Sequence, residues 1–127
     1  MSMNTATVIA YWVLAGLLAL FYLYAGAMKL TRDRDQLRPM MAWVDRIPLP
    51  ALRGLGTVEV LGALGLLLPP ATGVAPWLAL AAAVGLFVLQ IGAVVTHLTG
   101  GDRKIGLNIG LIGTTAVTGW LAAAVWL

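Results

Sequence analysis

Four stretches of this chain, residues 6–28, 52–68, 75–98 and 105–127, are long and apolar enough to cross a lipid bilayer. The hydrocarbon core of a membrane is about 30 Å thick and a helix rises about 1.5 Å per residue, so each crossing needs roughly 17–25 mostly apolar residues. Composition agrees: 61% of the 127 residues are hydrophobic and 10% are charged. With a mean hydropathy of +0.93, that is more apolar surface than a water-soluble core of this size can hide. Backbone polar groups inside hydrocarbon must be paired internally, and no segment alternates with the period of a barrel strand, so the spans are expected to be helices. The expected architecture is an all-α membrane protein, one four-helix transmembrane bundle over residues 1–127. The first segment reads as a retained helix, not a secretory leader. Residues 1–7 carry no basic side chain, the apolar run is too long, and no small-residue cleavage site follows it.

Orientation follows from the basic residues, because loops rich in Lys and Arg stay in the cytoplasm. Lys29, Arg32, Arg34, Arg38, Arg46 and Arg53 lie in or beside the first loop, Arg103 and Lys104 follow the third span, and these are all eight basic side chains. The second loop, "PPATGVAP", and both ends have none. The expectation is a multi-pass protein of the cytoplasmic (inner) membrane with both termini on the outer side. Trp12, Trp77 and Trp126 then fall near the outer interface, which indole rings favour. The net charge of +3 and pI near 9.8 suit anionic lipid headgroups at the cytoplasmic face. Topology accounts for the basic residues, so a nucleic-acid partner is not expected.

The first loop, "TRDRDQLRPMMAWVDRIPLPALRG", carries Leu37, Met40, Met41 and Val44 at the spacing i, i+3, i+4, i+7. That pattern predicts a short helix in the headgroup plane. Pro48 and Pro50 would end it and return the chain to the membrane.

The second span, "GTVEVLGALGLLLP", holds a glutamate at position 59. Entering near Leu52, Glu59 is roughly 10 Å deep at 1.5 Å per residue, and an ionised carboxylate facing lipid costs at least a few kcal/mol. Such a group turns inward and finds a partner or takes up a proton. Each of the other helices delivers a polar group to the same half: Lys29 and Tyr22 on the first, His97 and Gln90 on the third, Asn108 on the fourth. Glu59, His97, Lys29 and Asn108 are the candidate catalytic or ligand-binding residues, with Tyr22 and Gln90 in support. The alternative is structural: a Lys29–Glu59 salt bridge, with His97 and Asn108 as helix-end and interhelical contacts. Small residues at Gly62 and Ala63, and at Gly106, Gly110 and Thr114, would allow close helix packing or form a face for a second copy.

Absent residue types narrow the chemistry. Without cysteine there is no thiol–disulfide exchange and no thiolate metal site. A single histidine cannot provide both imidazoles of a bis-histidine haem. No metal centre is expected, and if electrons are involved, a partner protein or a bound small molecule must carry them.

"LYAGAMKL", "LP" in the first loop, "VEVLGALGLLLP", "VVTHLTGGD" and "LNIGL" together resemble the DoxX-like membrane proteins. The resemblance implies a four-helix integral protein of the cytoplasmic membrane, with Lys29, Glu59, His97 and Asn108 matching what looks like that family's polar core. The family name comes from a subunit of a membrane thiosulfate:quinone oxidoreductase. This favours a small subunit of a membrane oxidoreductase or redox-stress assembly, with a redox partner protein and a quinone at the polar site. A membrane-embedded acid–base enzyme or carrier acting on an apolar small molecule, with Glu59 as acid or base, is the alternative. A scaffold with a purely structural polar core is the third reading.

Overall fold

The structure, a computed structural model, describes residues 5–127. Residues 1–4, part of the stretch 1–7 that carries no basic side chain, lie outside the described residues. Four long helices dominate: α1 (Thr5–Thr31), α3 (Leu49–Thr72), α4 (Leu78–Thr99) and α5 (Gly106–Trp126), with a short α2 (Arg34–Leu37) between the first two. All four long helices have the length and apolarity of a membrane span. Contacts run α1 to α3, α3 to α4, α4 to α5 and α5 back to α1, which closes an up-down-up-down four-helix bundle.

The helices outrun the apolar segments at both ends of α1 and α3, because backbone hydrogen bonding continues where hydropathy stops. Pro48 is the N-cap of α3 and Pro50 lies in its first turn, where a missing N–H costs nothing. The expected start at Leu52 is therefore three residues late. Glu59 lies ten residues from Leu49, about 15 Å along the helix axis. The other end also differs from expectation. α3 continues through Pro69 and Pro70 to Thr72 and closes on Gly73 at φ 75°, a left-handed cap that glycine adopts without strain. Pro70 has no N–H to give the Leu66 carbonyl, and the Tyr11 hydroxyl donates to that oxygen instead, at 2.6 Å. A side chain of α1 thus fills the gap in the α3 ladder.

The loop helix is shorter and earlier than its apolar spacing predicts. α2 opens on a capping box, in which Asp33 Oδ1 accepts from the Gln36 N–H and Gln36 Oε1 accepts from the Asp33 N–H. It stops at Leu37, since Pro39 cannot extend it. The chain then folds around the Leu37 carbonyl, which accepts from the Met40 and Met41 amides, and makes a 3-10 turn over Val44–Arg46. Leu37, Met41 and Val44 are buried with Met28 and Leu52 in a small second core, while Met40 is exposed.

The main core lies toward the opposite end of the bundle and includes Tyr11, Leu18, Leu66, Ala79, Ala83, Leu121 and Val125. Tyr11, Trp12 and Trp126 meet edge to face there, with centroids 5.5–5.8 Å apart. Trp77 stands exposed at the start of α4. Gly106 and Gly110 are exposed, and a Cβ on either would meet no atom of another helix within 4 Å among the described residues. The small residues that close the bundle are elsewhere, at Gly26, Gly56, Gly62 and Gly65.

Candidate functional site

The α1–α3 crossing builds the first part of the site. Gly26 and Gly56 face each other so closely that a Cβ on Gly26 would come within 2.7 Å of the Gly56 carbonyl oxygen, and one on Gly56 within 2.8 Å of the Gly26 carbonyl. Three residues beyond each glycine stands a charge, "GAMK" ending in Lys29 and "GTVE" ending in Glu59. Because the helices are antiparallel, the Lys29 stem lies over Gly56 and the Glu59 stem over Gly26, and the two heads meet between them. Lys29 Nζ donates to Glu59 Oε1 at 2.8 Å and Oε2 at 2.9 Å, with the side chains 6% and 4% exposed. Burial at this level requires such pairing. Trp43, from the first loop, covers the pair: the ammonium is 5.8 Å from its ring centroid, within cation–π range.

Two carbonyls at the end of α1 also find a partner. Arg53 Nη1, from the second turn of α3, donates to the carbonyls of Lys29 at 2.5 Å and Arg32 at 2.7 Å, bringing positive charge to a helix C-terminus.

A second chain of polar groups crosses the bundle. Asn108 Nδ2 on α5 donates to Gln90 Oε1 at 2.8 Å, and Gln90 Nε2 on α4 donates to the Tyr22 hydroxyl on α1 at 2.9 Å. Gln90 is buried, as is Tyr22. Interhelical bonds of this kind tie α1, α4 and α5 together.

His97 belongs to neither group. Its Nδ1 lies 2.7 Å from Asp102 Oδ2, in the turn between α4 and α5. Gly101, at φ 78°, allows that turn to bring the carboxylate back. The Asp102 N–H donates to the His97 carbonyl at 2.8 Å and Asp102 Oδ1 accepts from the Lys104 N–H at 2.9 Å. The Lys104 amide, and then His97, hold the Asp102 carboxyl below the usual carboxylate range.

Between these groups is a cavity of about 600 Å³, within the usual size range of small-molecule pockets. Lys29, Glu59, Gln90, His97, Asn108 and Lys104 line it, and its remaining walls are mostly apolar, with Phe21 and Met28 from α1, Leu55 from α3, Leu89 from α4 and Leu111 from α5. Met41, Trp43 and Ile47 of the first loop close one side. That loop is tied down by Arg46, which donates to the Thr96 carbonyl at 2.5 Å and Thr99 Oγ1 at 3.2 Å, and by Arg34, which donates to the Ile47 carbonyl at 2.9 Å.

Glu59, Lys29, His97, Asn108 and Gln90 therefore share one cavity, and Tyr22 stands behind Gln90. No hydrogen bond joins Glu59 to His97 among the described residues; the void separates them. Sequence reasoning missed Asp102, Trp43 and Gly56. The repeated Gly-x-x-charge pattern at 26–29 and 56–59 was a readable signal for Gly56, and an acid five residues after the lone histidine was one for Asp102.

The fold and site define a multi-pass membrane protein, a four-helix bundle with a polar cavity in the half that carries the basic loops. The sequence profile of the DoxX-like family matches residues 13–127, and the chain belongs to that family. Comparison with curated proteins and with solved structures gave no match.

Proposed function

We propose that the cavity binds a small amphipathic carbonyl compound of the quinone class, and that the protein is a small subunit of a membrane oxidoreductase or redox-stress assembly. One observation carries this reading: a mostly apolar cavity of about 600 Å³ with Lys29 and Glu59 on one wall and His97 and Asn108 on another. Apolar walls suit a ring and its hydrocarbon tail, and convergent polar groups suit the ring oxygens. Lys29, whose ammonium has a third hydrogen beyond the two given to Glu59, donates to a carbonyl oxygen, as His97 does only when both its ring nitrogens are protonated, and Glu59 accepts or relays a proton. Electrons come from a partner oxidoreductase protein. The basic loops face the cytoplasm and its anionic headgroups, with both chain ends across a cytoplasmic (inner) membrane. The exposed Gly106 and Gly110 on α5 offer a face for a second copy.

The test is purification in mild detergent followed by lipid extraction. Quinone is expected to co-purify, and Glu59→Gln is expected to keep its helix content but bind quinone roughly tenfold or more weakly, the effect of losing a hydrogen bond to a charged group. Quinone retained equally by both proteins sinks the role of Glu59. A bound terpenoid or other apolar metabolite in place of quinone would favour the second reading, an acid–base enzyme or carrier. That reading draws on the His97–Asp102 pair, the arrangement by which a carboxylate orients a histidine base.

A further inference from the structure

Asp102 holds His97 in a defined protonation pattern. Its carboxylate is fixed by its own backbone bond to His97 and by the Lys104 amide, and it presents Oδ2 to His97 Nδ1 at 2.7 Å. An ionised carboxylate only accepts hydrogen bonds, so a neutral imidazole facing it carries its proton on Nδ1. The lone pair then lies on Nε2, at the other side of a ring that lines the cavity. Nε2 makes no hydrogen bond among the described residues. Lys29 and Lys104, which also line the cavity, can only donate, so His97 supplies an acceptor that they cannot.

We propose that Asp102 is a positioning residue that makes His97 Nε2 a hydrogen-bond acceptor toward the cavity, so that the site selects a ligand presenting a hydroxyl there, the quinol in preference to the quinone. The choice of ligand rests on the quinone reading above. The positioning role does not.

The chain has a single histidine, so 15N labelling of histidine in the full chain, in detergent micelles, reports on His97 alone. With His97 neutral, Nδ1 is expected to show the shift of a protonated nitrogen and Nε2 that of a lone-pair nitrogen. In Asp102→Asn the amide oxygen can keep the Lys104 bond while the amide hydrogens face Nδ1, so the proton is expected to move to Nε2. Binding then follows the tautomer. The wild type is expected to prefer tetramethylhydroquinone over tetramethylbenzoquinone by about fivefold, one neutral hydrogen bond, and Asp102→Asn to reverse that order. A proton on Nε2 in the wild type overturns the proposal without any variant, and an unchanged tautomer in Asp102→Asn overturns it equally. An inverted tautomer with the same preference in both proteins removes the ligand selection. If the tautomer inverts and neither probe binds, the quinone reading falls while the role of Asp102 stands.

Discussion

The two halves of the bundle use the same four helices for different ends. Away from the basic loops, Tyr11, Trp12 and Trp126 stack edge to face over a core of Leu and Ala, and a buried hydrogen bond from Tyr11 to the Leu66 carbonyl repairs a backbone defect. Toward the basic loops, an ion pair, an amide chain and a histidine–carboxylate pair surround a void. Hydrocarbon is as apolar as leucine, so neither half gains much from simple hydrophobic burial. Close packing holds the first together, and polar pairing between helices holds the second. A stable bundle could have been filled throughout. A cavity kept open beside buried charges costs stability, which is the usual mark of a working site.

Three substitutions probe this contrast, and unfolding in mixed micelles measures each. Lys29→Met leaves Glu59 buried without its partner and is expected to cost about 3–5 kcal/mol, with part of the loss recovered when Glu59→Gln is added. A loss no larger than that of a single neutral hydrogen bond would mean that the polar half does not depend on this pair. Gly26→Ala places a methyl group against the Gly56 carbonyl and Val60 Cγ2, pushes α1 from α3, and is expected to cost about 1–3 kcal/mol. Gly85→Ala, where an added methyl meets nothing within 4 Å, is its control and should not destabilise. Tyr11→Phe removes the donor to Leu66 and is expected to cost about 1 kcal/mol, the smallest effect of the three. A cost above that of Lys29→Met would reverse the contrast and place the more demanding polar contact in the packed half.

Much of this was legible in the order of residues. Glu59 in an apolar span announces an inward-facing carboxylate, because no other placement is tolerable in lipid, and Lys29 could be named as its partner from helix depth alone. The loop is less legible. The i, i+3, i+4, i+7 spacing of Leu37, Met40, Met41 and Val44 suggests a continuous helix, but Pro39 interrupts the backbone ladder and three of the four side chains are buried by a tighter fold. Pro69 and Pro70 look like a helix end, yet α3 passes through them, and Tyr11, 55 residues before Leu66 in sequence, supplies to the Leu66 carbonyl the donor that Pro70 lacks. Gly106 and Gly110 looked like packing residues and face outward.

By itself the sequence determined the solvent this chain lives in, its number of long helices, its family, and the concentration of polar groups in one half. Those follow from hydropathy and residue type summed over local windows, which need no knowledge of neighbours. Only the tertiary structure decided that His97 turns to Asp102 and not to Glu59, and that a void separates them. Such outcomes depend on how closely helices approach, and at the α1–α3 crossing that distance is set by two glycines thirty residues apart, Gly26 and Gly56, that meet only once the bundle has closed.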